Sequence, residues 1–192
     1  VLAGISWVLE RKEQLGIRIL NISVGACSKR GMSENSALVK GVNRAWDAGL
    51  VVVVAAGNNG PRTMSITTPG ISRKVITVGC SDDDREVLVG GNRMVDYSGR
   101  GPTAACICKP DLVAPGCSVV SCSSRADKYT IKSGTSMSTP IVSGAVALLL
   151  ERFPDMSNKD VKLRLRESSV DIGLPRNQQG WGLLDVGKML ER

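Results

Sequence analysis

The chain has 192 residues, of which 42% are apolar and 22% are charged, values typical of one globular domain with a core of its own. The net charge of +7 comes from dispersed basic residues without interleaved aromatic residues, which argues against a nucleic-acid partner. No apolar run reaches the roughly 18 residues of a membrane span, so no membrane partner is expected, and the chain contains no histidine.

The first half of the chain predicts helices that alternate with strands. Apolar residues at helical spacing predict a helix over 1–14 and a second helix over 33–48, with Ser33 as its N-cap. The β-branched run 17–24 predicts a strand. The run 50–56 is apolar at every position, which indicates a strand buried on both faces of a parallel sheet.

The second half continues this alternation. The predicted elements are a strand over 74–78, a mostly loop segment over 81–101, a short strand over 111–114, a hairpin of 119–121 with 128–131, a long helix over 135–152 and a short helix over 184–190. Residues 161–166 alternate like a strand, but Ser157 and Asp160 form a near capping box that favours a helix. The pattern predicts an α/β layer fold with a mostly parallel sheet.

The cysteines indicate free thiols. Six cysteines in a chain of this size do not make a disulfide scaffold, and the C-x-C and C-x4-C spacings over 106–122 are not usual for zinc. We therefore predict no metal site and a reducing, cytoplasmic location, with secretion as the alternative. The chain starts at Val1 without a visible signal peptide and resembles a piece of a longer protein.

Two segments combine turn residues with candidate reactive groups. "VVVVAAGNNGP" (51–61) places Asn58 in a turn at the carboxyl end of a buried strand, where open α/β sheets bind ligands. "SGTSMSTP" (133–140) places Ser136 at the start of a helix, where the helix dipole stabilises negative charge. Each segment alone also has a purely structural explanation. Asn58 is a common residue in a turn, and the hydroxyl of Ser136 can serve as a helix N-cap.

Together with three other segments, these motifs resemble the subtilisin-like serine proteases. The five segments occur in the order of that family, and the similarity is greatest to its bacterial, intracellular-type branch. In chain order they are "NISVG" (21–25), "AAGN" (55–58), "DYSGRGP" (96–102), "KPDLVAPG" (109–116) and "GTSMSTP" (134–140).

The resemblance implies a three-layer α/β/α fold and serine endopeptidase activity on peptides or proteins. Ser136 would attack the scissile carbonyl, and Asn58 with the backbone N–H of Ser136 would hold the oxyanion. The substrate would pair as an added strand with Ser23, Val24 and Gly25.

A specificity pocket is implied beside these residues. Gly25 and Gly57 would leave room for a substrate side chain between two strand ends, with Ala55 and Ala56 in its wall.

The resemblance also marks what the chain lacks. In the family the catalytic Asp and His lie before the region that matches Val1, so residues 1–192 would be one partial catalytic domain, truncated on its amino-terminal side and inactive alone. Its sheet would have an open edge near 17–24, and we expect self-association through it. Ile141 stands where the family usually has a non-catalytic histidine. Calcium sites are frequent in the family, but their strongest loop lies in the missing part, so calcium would belong to the full-length protein. The acidic residues 82–84 resemble a solvated turn.

Two other functions remain compatible with the sequence. In the first, the groove holds peptides without cutting them, as in a pseudoenzyme. In the second, "AAGNNG" cradles a nucleotide phosphate, although the chain has neither G-x-G-x-x-G nor G-K-[ST] at that turn.

Overall fold

The computed structural model describes residues 1–26, 35–124 and 128–191. Its helices are α1 (Leu2–Leu15), α2 (Ala37–Asp47), α3 (Thr135–Arg152), α4 (Asn158–Ser168), α5 (Arg176–Gln179) and α6 (Val186–Leu190). Its strands are β1 (Ile19–Ile22), β2 (Val51–Ala55), β3 (Ile76–Cys80), β4 (Val87–Val89), β5 (Asn92–Met94), β6 (Leu112–Ala114), β7 (Val119–Cys122) and β8 (Tyr129–Lys132).

Four strands form a parallel sheet in the order β1-β2-β3-β6. The register places Ile22 opposite Val54 and Ala55 opposite Val78, so the carboxyl ends of the strands meet at one edge of the sheet. The other strands form two antiparallel hairpins, β4–β5 and β7–β8. The predicted α/β fold with a parallel sheet is confirmed.

The core lies on both faces of this sheet. Every residue of β2 and β3 is buried, which requires cover on both sides. On one side α3 contacts all four strands, while α2 contacts β2 and is itself packed against α1. The three-layer arrangement is thus confirmed, and its largest cluster is built mostly from Val, Ile, Leu and Ala.

Strand β1 is the outermost strand of the sheet on one side. In the described part of the chain it pairs only with β2. This agrees with the prediction of an open sheet edge near 17–24. The opposite edge is partly covered, because Val113 of β6 forms a bridge with Leu183.

Local signals located most helix ends. The helix over 135–152 has the predicted bounds, and α4 begins with a capping box in which Ser157 and Asp160 bond each other's backbone N–H groups. Ser36 caps α2 by accepting a bond from Val39 N. The predicted N-cap Ser33 lies outside the described residues.

The segment 81–101 is mostly loop, as predicted, but it also contains a hairpin that the sequence did not predict. Hairpin β4–β5 forms there around Gly90 and Gly91, whose φ values of 57° and 89° fit a tight turn. Each strand has only three residues, too few to produce a clear alternation. Helix α5, with four residues, was not predicted for the same reason. Within the described ranges, no helix has both the length and the apolar character needed to cross a membrane.

Candidate active site

The candidate nucleophile and the candidate oxyanion donor meet at the carboxyl edge of the sheet. Asn58 follows β2 by three residues, in the turn after Gly57, and Ser136 lies in the first turn of α3. Backbone N–H groups in the first turn of a helix have no acceptor within the helix. The backbone N–H of Ser136 is therefore available to an anion. The Ser136 hydroxyl is half-buried and donates a 2.8 Å bond to the carbonyl oxygen of Ser23.

Thr135 fixes the orientation of the Asn58 amide. The backbone N–H and the hydroxyl of Thr135 each donate a 3.0 Å bond to Asn58 Oδ1. The same hydroxyl accepts a 3.1 Å bond from Gly57 N. Because Oδ1 accepts both bonds, the other amide atom, Nδ2, is the donor left for a ligand.

Both groups open into one cleft. A cavity of about 490 Å³ is lined by Asn58 and Ser136 together with residues of hairpins β4–β5 and β7–β8, among them Leu88, Ile131 and Lys132. A second groove of about 400 Å³ runs from Ser136 between β7–β8 and α3, and Ile141 lines it. A substrate carbonyl in this cleft can therefore meet a hydroxyl and an amide donor together.

The residues expected to bind substrate surround the ends of β1 and β2. Ser23, Val24 and Gly25 follow β1, and the side chain of Val24 is exposed. Ala55 and Ala56 are fully buried at the end of β2, consistent with a wall.

The space between Gly25 and Gly57, which was expected to be open for a substrate side chain, is occupied in the structure. The side chain of Thr67 lies there, and a Cβ atom placed on either glycine would approach Thr67 Cβ to 2.9 Å.

The acidic residues 82–84 do not fit a calcium site. Asp82 Oδ1 accepts bonds from the backbone N–H groups of Gly116 and Cys117, and Asp83 Oδ2 accepts one from Ser98 N. These carboxylate oxygens are hydrogen-bonded to backbone N–H groups of the protein itself. In residues 1–26, 35–124 and 128–191, no cluster of three His, Cys, Asp or Glu side chains is arranged to hold a metal ion.

Among the described cysteines, the buried one, Cys80, does not act as a competing nucleophile. Burial raises the pKa of Cys80 to about 12, so this thiol stays protonated at neutral pH. The chain also has no histidine to accept the proton of Ser136. The arrangement places a serine hydroxyl and an amide donor on one cleft, without an imidazole base.

Residues of this site that were not predicted from the sequence include Thr135, Thr67 and Leu88. Thr135 had a usable signal, since it directly precedes Ser136 at the predicted helix start. Thr67 and Leu88 had none, because long-range folding of their segments brings them to the strand ends and to the cleft.

Known proteins resemble this chain in sequence and in structure. The model of the subtilase family matches residues 1–182. Serine protease AprX of Bacillus subtilis (strain 168) is 37% identical over 186 residues, covering 88% of this chain and 42% of AprX. Subtilisin DY of Bacillus licheniformis is 33% identical, covering 97% of this chain and 60% of that protein.

The solved structure of Sphericase superposes with a TM-score of 0.78 at 30% identity, covering 96% of this chain and 62% of that structure. The chain thus spans about half the length of the curated relatives it matches. Family match, fold and motif order agree, and the chain belongs to the subtilase family.

Proposed function

We propose that this chain is part of a serine endopeptidase catalytic domain that forms its acyl-enzyme on Ser136. The carbonyl of a peptide or protein substrate would lie between Ser136 Oγ and Asn58 Nδ2. Attack by the hydroxyl would move charge onto the carbonyl oxygen, where Asn58 and the Ser136 N–H donate hydrogen bonds. The observation that carries this proposal is the Asn58–Thr135 network, which aims one amide donor into the cleft that contains Ser136.

The 192-residue chain alone is expected to leave peptide bonds intact. A serine nucleophile needs a base to take its proton, and without one only the oxyanion site and substrate binding remain. In triad proteases this residual catalysis is roughly three to four orders of magnitude above water. A peptide anilide should therefore show no measurable turnover.

An added base tests the proposal directly. We suggest incubating the chain with carbobenzoxy-glycine p-nitrophenyl ester and imidazole, and mapping the acyl group by mass spectrometry. Imidazole would take the proton of Ser136, the Oγ would bond to the acyl carbon, and p-nitrophenolate would leave with its electron pair. The expected result is an acyl group on Ser136. Asn58→Leu should slow its formation by roughly 10²–10³-fold.

Matched variants separate this chemistry from nonspecific acylation. Ser143→Ala changes another serine of α3, outside the cleft, and should leave the rate unchanged, whereas Ser136→Ala should abolish it. Lys132→Met tests whether a lysine lining the cleft takes the proton instead. Absence of acylation on Ser136, with peptide binding retained, would favour the pseudoenzyme function.

We also propose a cytoplasmic location and the bacterial, intracellular-type branch. All five cysteines in the described part of the chain are free, and Cys106, Cys108 and Cys122 are exposed. Exposed thiols persist in reducing compartments and oxidise outside them. Fractionation of the source cells with an antibody against the chain tests this, and recovery from the culture medium would contradict it.

The open edge of the sheet supports self-association as a further proposal. Within the residues that the structure describes, strand β1 has no partner on its outer side, and on the neighbouring helix α3 the side chain of Leu148 is half-exposed. A second copy of the chain can pair with this edge and cover this side chain.

A further inference from the structure

The ends of β1 and β2 enclose a space that one side chain fills. Thr67 is 4% exposed and lies against both Gly25 and Gly57. At a separation of 2.9 Å from Thr67 Cβ, a Cβ on either glycine would overlap the threonine. The two glycines therefore accommodate Thr67, and the space left for a substrate side chain is small.

Hydrogen bonds hold Thr67 in place on both sides. Its backbone N–H donates a 2.8 Å bond to the carbonyl oxygen of Ala56, and its hydroxyl donates a 3.2 Å bond to the same atom. The next residue, Thr68, exchanges two backbone bonds with Ala26, of 2.8 and 3.2 Å. Thr67 is thus tied to the segments after both strands, and its β-branched side chain has few rotamers.

We propose that Thr67 limits the substrate residue that supplies the scissile carbonyl to small side chains, namely those of Gly, Ala and Ser. This inference rests on the proposed function, because it assumes that the carbonyl lies between Ser136 and Asn58. The side chain of that residue then points between the segments 23–25 and 55–57. A Leu or Phe side chain would have to displace Thr67 and break its bonds to Ala56. A hydrogen or a methyl group needs no displacement.

A series of activated esters measures this preference in the 192-residue chain. The probes are carbobenzoxy p-nitrophenyl esters of Gly, Ala, Leu and Phe, with imidazole as the base. Release of p-nitrophenolate is recorded after subtracting the Ser136→Ala background. Each rate is then divided by the rate of the same ester with imidazole alone, which corrects for differences in intrinsic ester reactivity. We expect the Gly and Ala esters to acylate Ser136 at least about tenfold faster than the Leu and Phe esters.

Two variants assign the preference to the size of Thr67. Thr67→Gly should raise the ratio of Phe to Ala acylation at least about tenfold. Thr67→Val keeps the shape but loses the hydroxyl, so it should keep the preference of the unmodified chain. Thermal melting of each variant checks that it folds; should Thr67→Gly not fold, the four esters on the unmodified chain still decide.

The outcomes separate this inference from the function on which it rests. Equal acylation by the Ala and Phe esters in the unmodified chain would overturn the role of Thr67 and leave the proposed function intact. Failure of even the Gly ester to acylate Ser136 would overturn the proposed function, and the inference with it.

Discussion

The hydroxyl of Thr135 links the two halves of the candidate oxyanion site. It accepts a bond from Gly57 N and donates one to Asn58 Oδ1, so the turn after β2 is coupled to the start of α3. In the proposed function Thr135 does not touch the substrate; it holds the Asn58 amide that would do so. Its side chain is fully buried, so water cannot replace these bonds.

Replacing this hydroxyl should slow acylation without removing the donor. Thr135→Val keeps the backbone bond to Asn58 but loses both side-chain bonds, so the amide can rotate. We expect imidazole-dependent acylation of Ser136 to fall about tenfold, less than for loss of the Asn58 amide itself. Thr135→Ser restores the hydroxyl and should restore the rate. An unchanged rate in Thr135→Val would show that Asn58 is held by other means.

A second hydroxyl in α3 should be dispensable for the fold. Ser138 is fully buried, and its Oγ has no hydrogen-bond partner among the residues that the structure describes. An unpaired buried hydroxyl costs about 1–3 kcal/mol, so Ser138→Ala should raise the free energy of unfolding by about 1 kcal/mol. Urea denaturation measures this change.

The control for Ser138 lies on the same helix. The hydroxyl of Ser143 donates to Asn21 Oδ1 and to the carbonyl oxygen of Thr139, so Ser143→Ala should not stabilise the protein. Destabilisation by Ser138→Ala would mean that this hydroxyl has a partner after all.

A buried ionic network joins three elements of the fold. Lys109, 1% exposed, donates to the carbonyl oxygen of Val75 and lies 2.5 Å from Asp111, next to β6. Lys162 of α4 lies 3.5 Å from the same carboxylate. Burial lowers the pKa of Lys109 to about 8, although the charge of Asp111 opposes this shift.

This pKa gives the protein a specific dependence on pH. An unfolded Lys109 keeps its proton up to its ordinary pKa of 10.5, whereas the folded protein releases it near pH 8. Between these values the unfolded state binds more protons, so the free energy of unfolding rises with pH. Relative to Lys109→Met, which cannot titrate there, stability should rise by up to about 1.4 kcal/mol per pH unit. Urea titrations across that window check the slope. A difference that stays constant or falls with pH would contradict the shifted pKa.

The elements differ in how well the sequence predicts them. Residues 135–152 and the capped helix after Ser157 carry local signals, namely apolar spacing and a capping side chain, so their sequences predict them. Hairpin β4–β5 has strands of three residues, and it is stable only against the rest of the fold.

The same division applies to the site. Ser136 and Asn58 lie in motifs that can be read locally. The position of Thr67 between Gly25 and Gly57 depends on its own bonds to Ala56 and on those of Thr68 to Ala26. These partners are distant in sequence, and no local pattern reports them.

Across the whole molecule, the sheet has an edge strand, β1, with no described neighbour on its outer side. Strand β1 presents a row of backbone N–H and C=O groups, and Asn21 at its centre is exposed. Native proteins protect such edges with charges or by covering them. Helix α3 adds to this surface, because it is apolar around much of its circumference and yet leaves Ala147 and Leu148 exposed.

A charge on this edge should abolish the proposed self-association. We expect the unmodified chain to form dimers as its concentration rises through the micromolar range, and Asn21→Lys to remain monomeric, because a lysine on an edge disfavours pairing with another strand. Analytical ultracentrifugation measures both. Leu163→Lys replaces an exposed apolar residue of α4 and should still dimerise, since α4 is not part of the open edge. A monomeric unmodified chain at every concentration would refute pairing between copies. Dimers of all three proteins would assign the contact to a different surface.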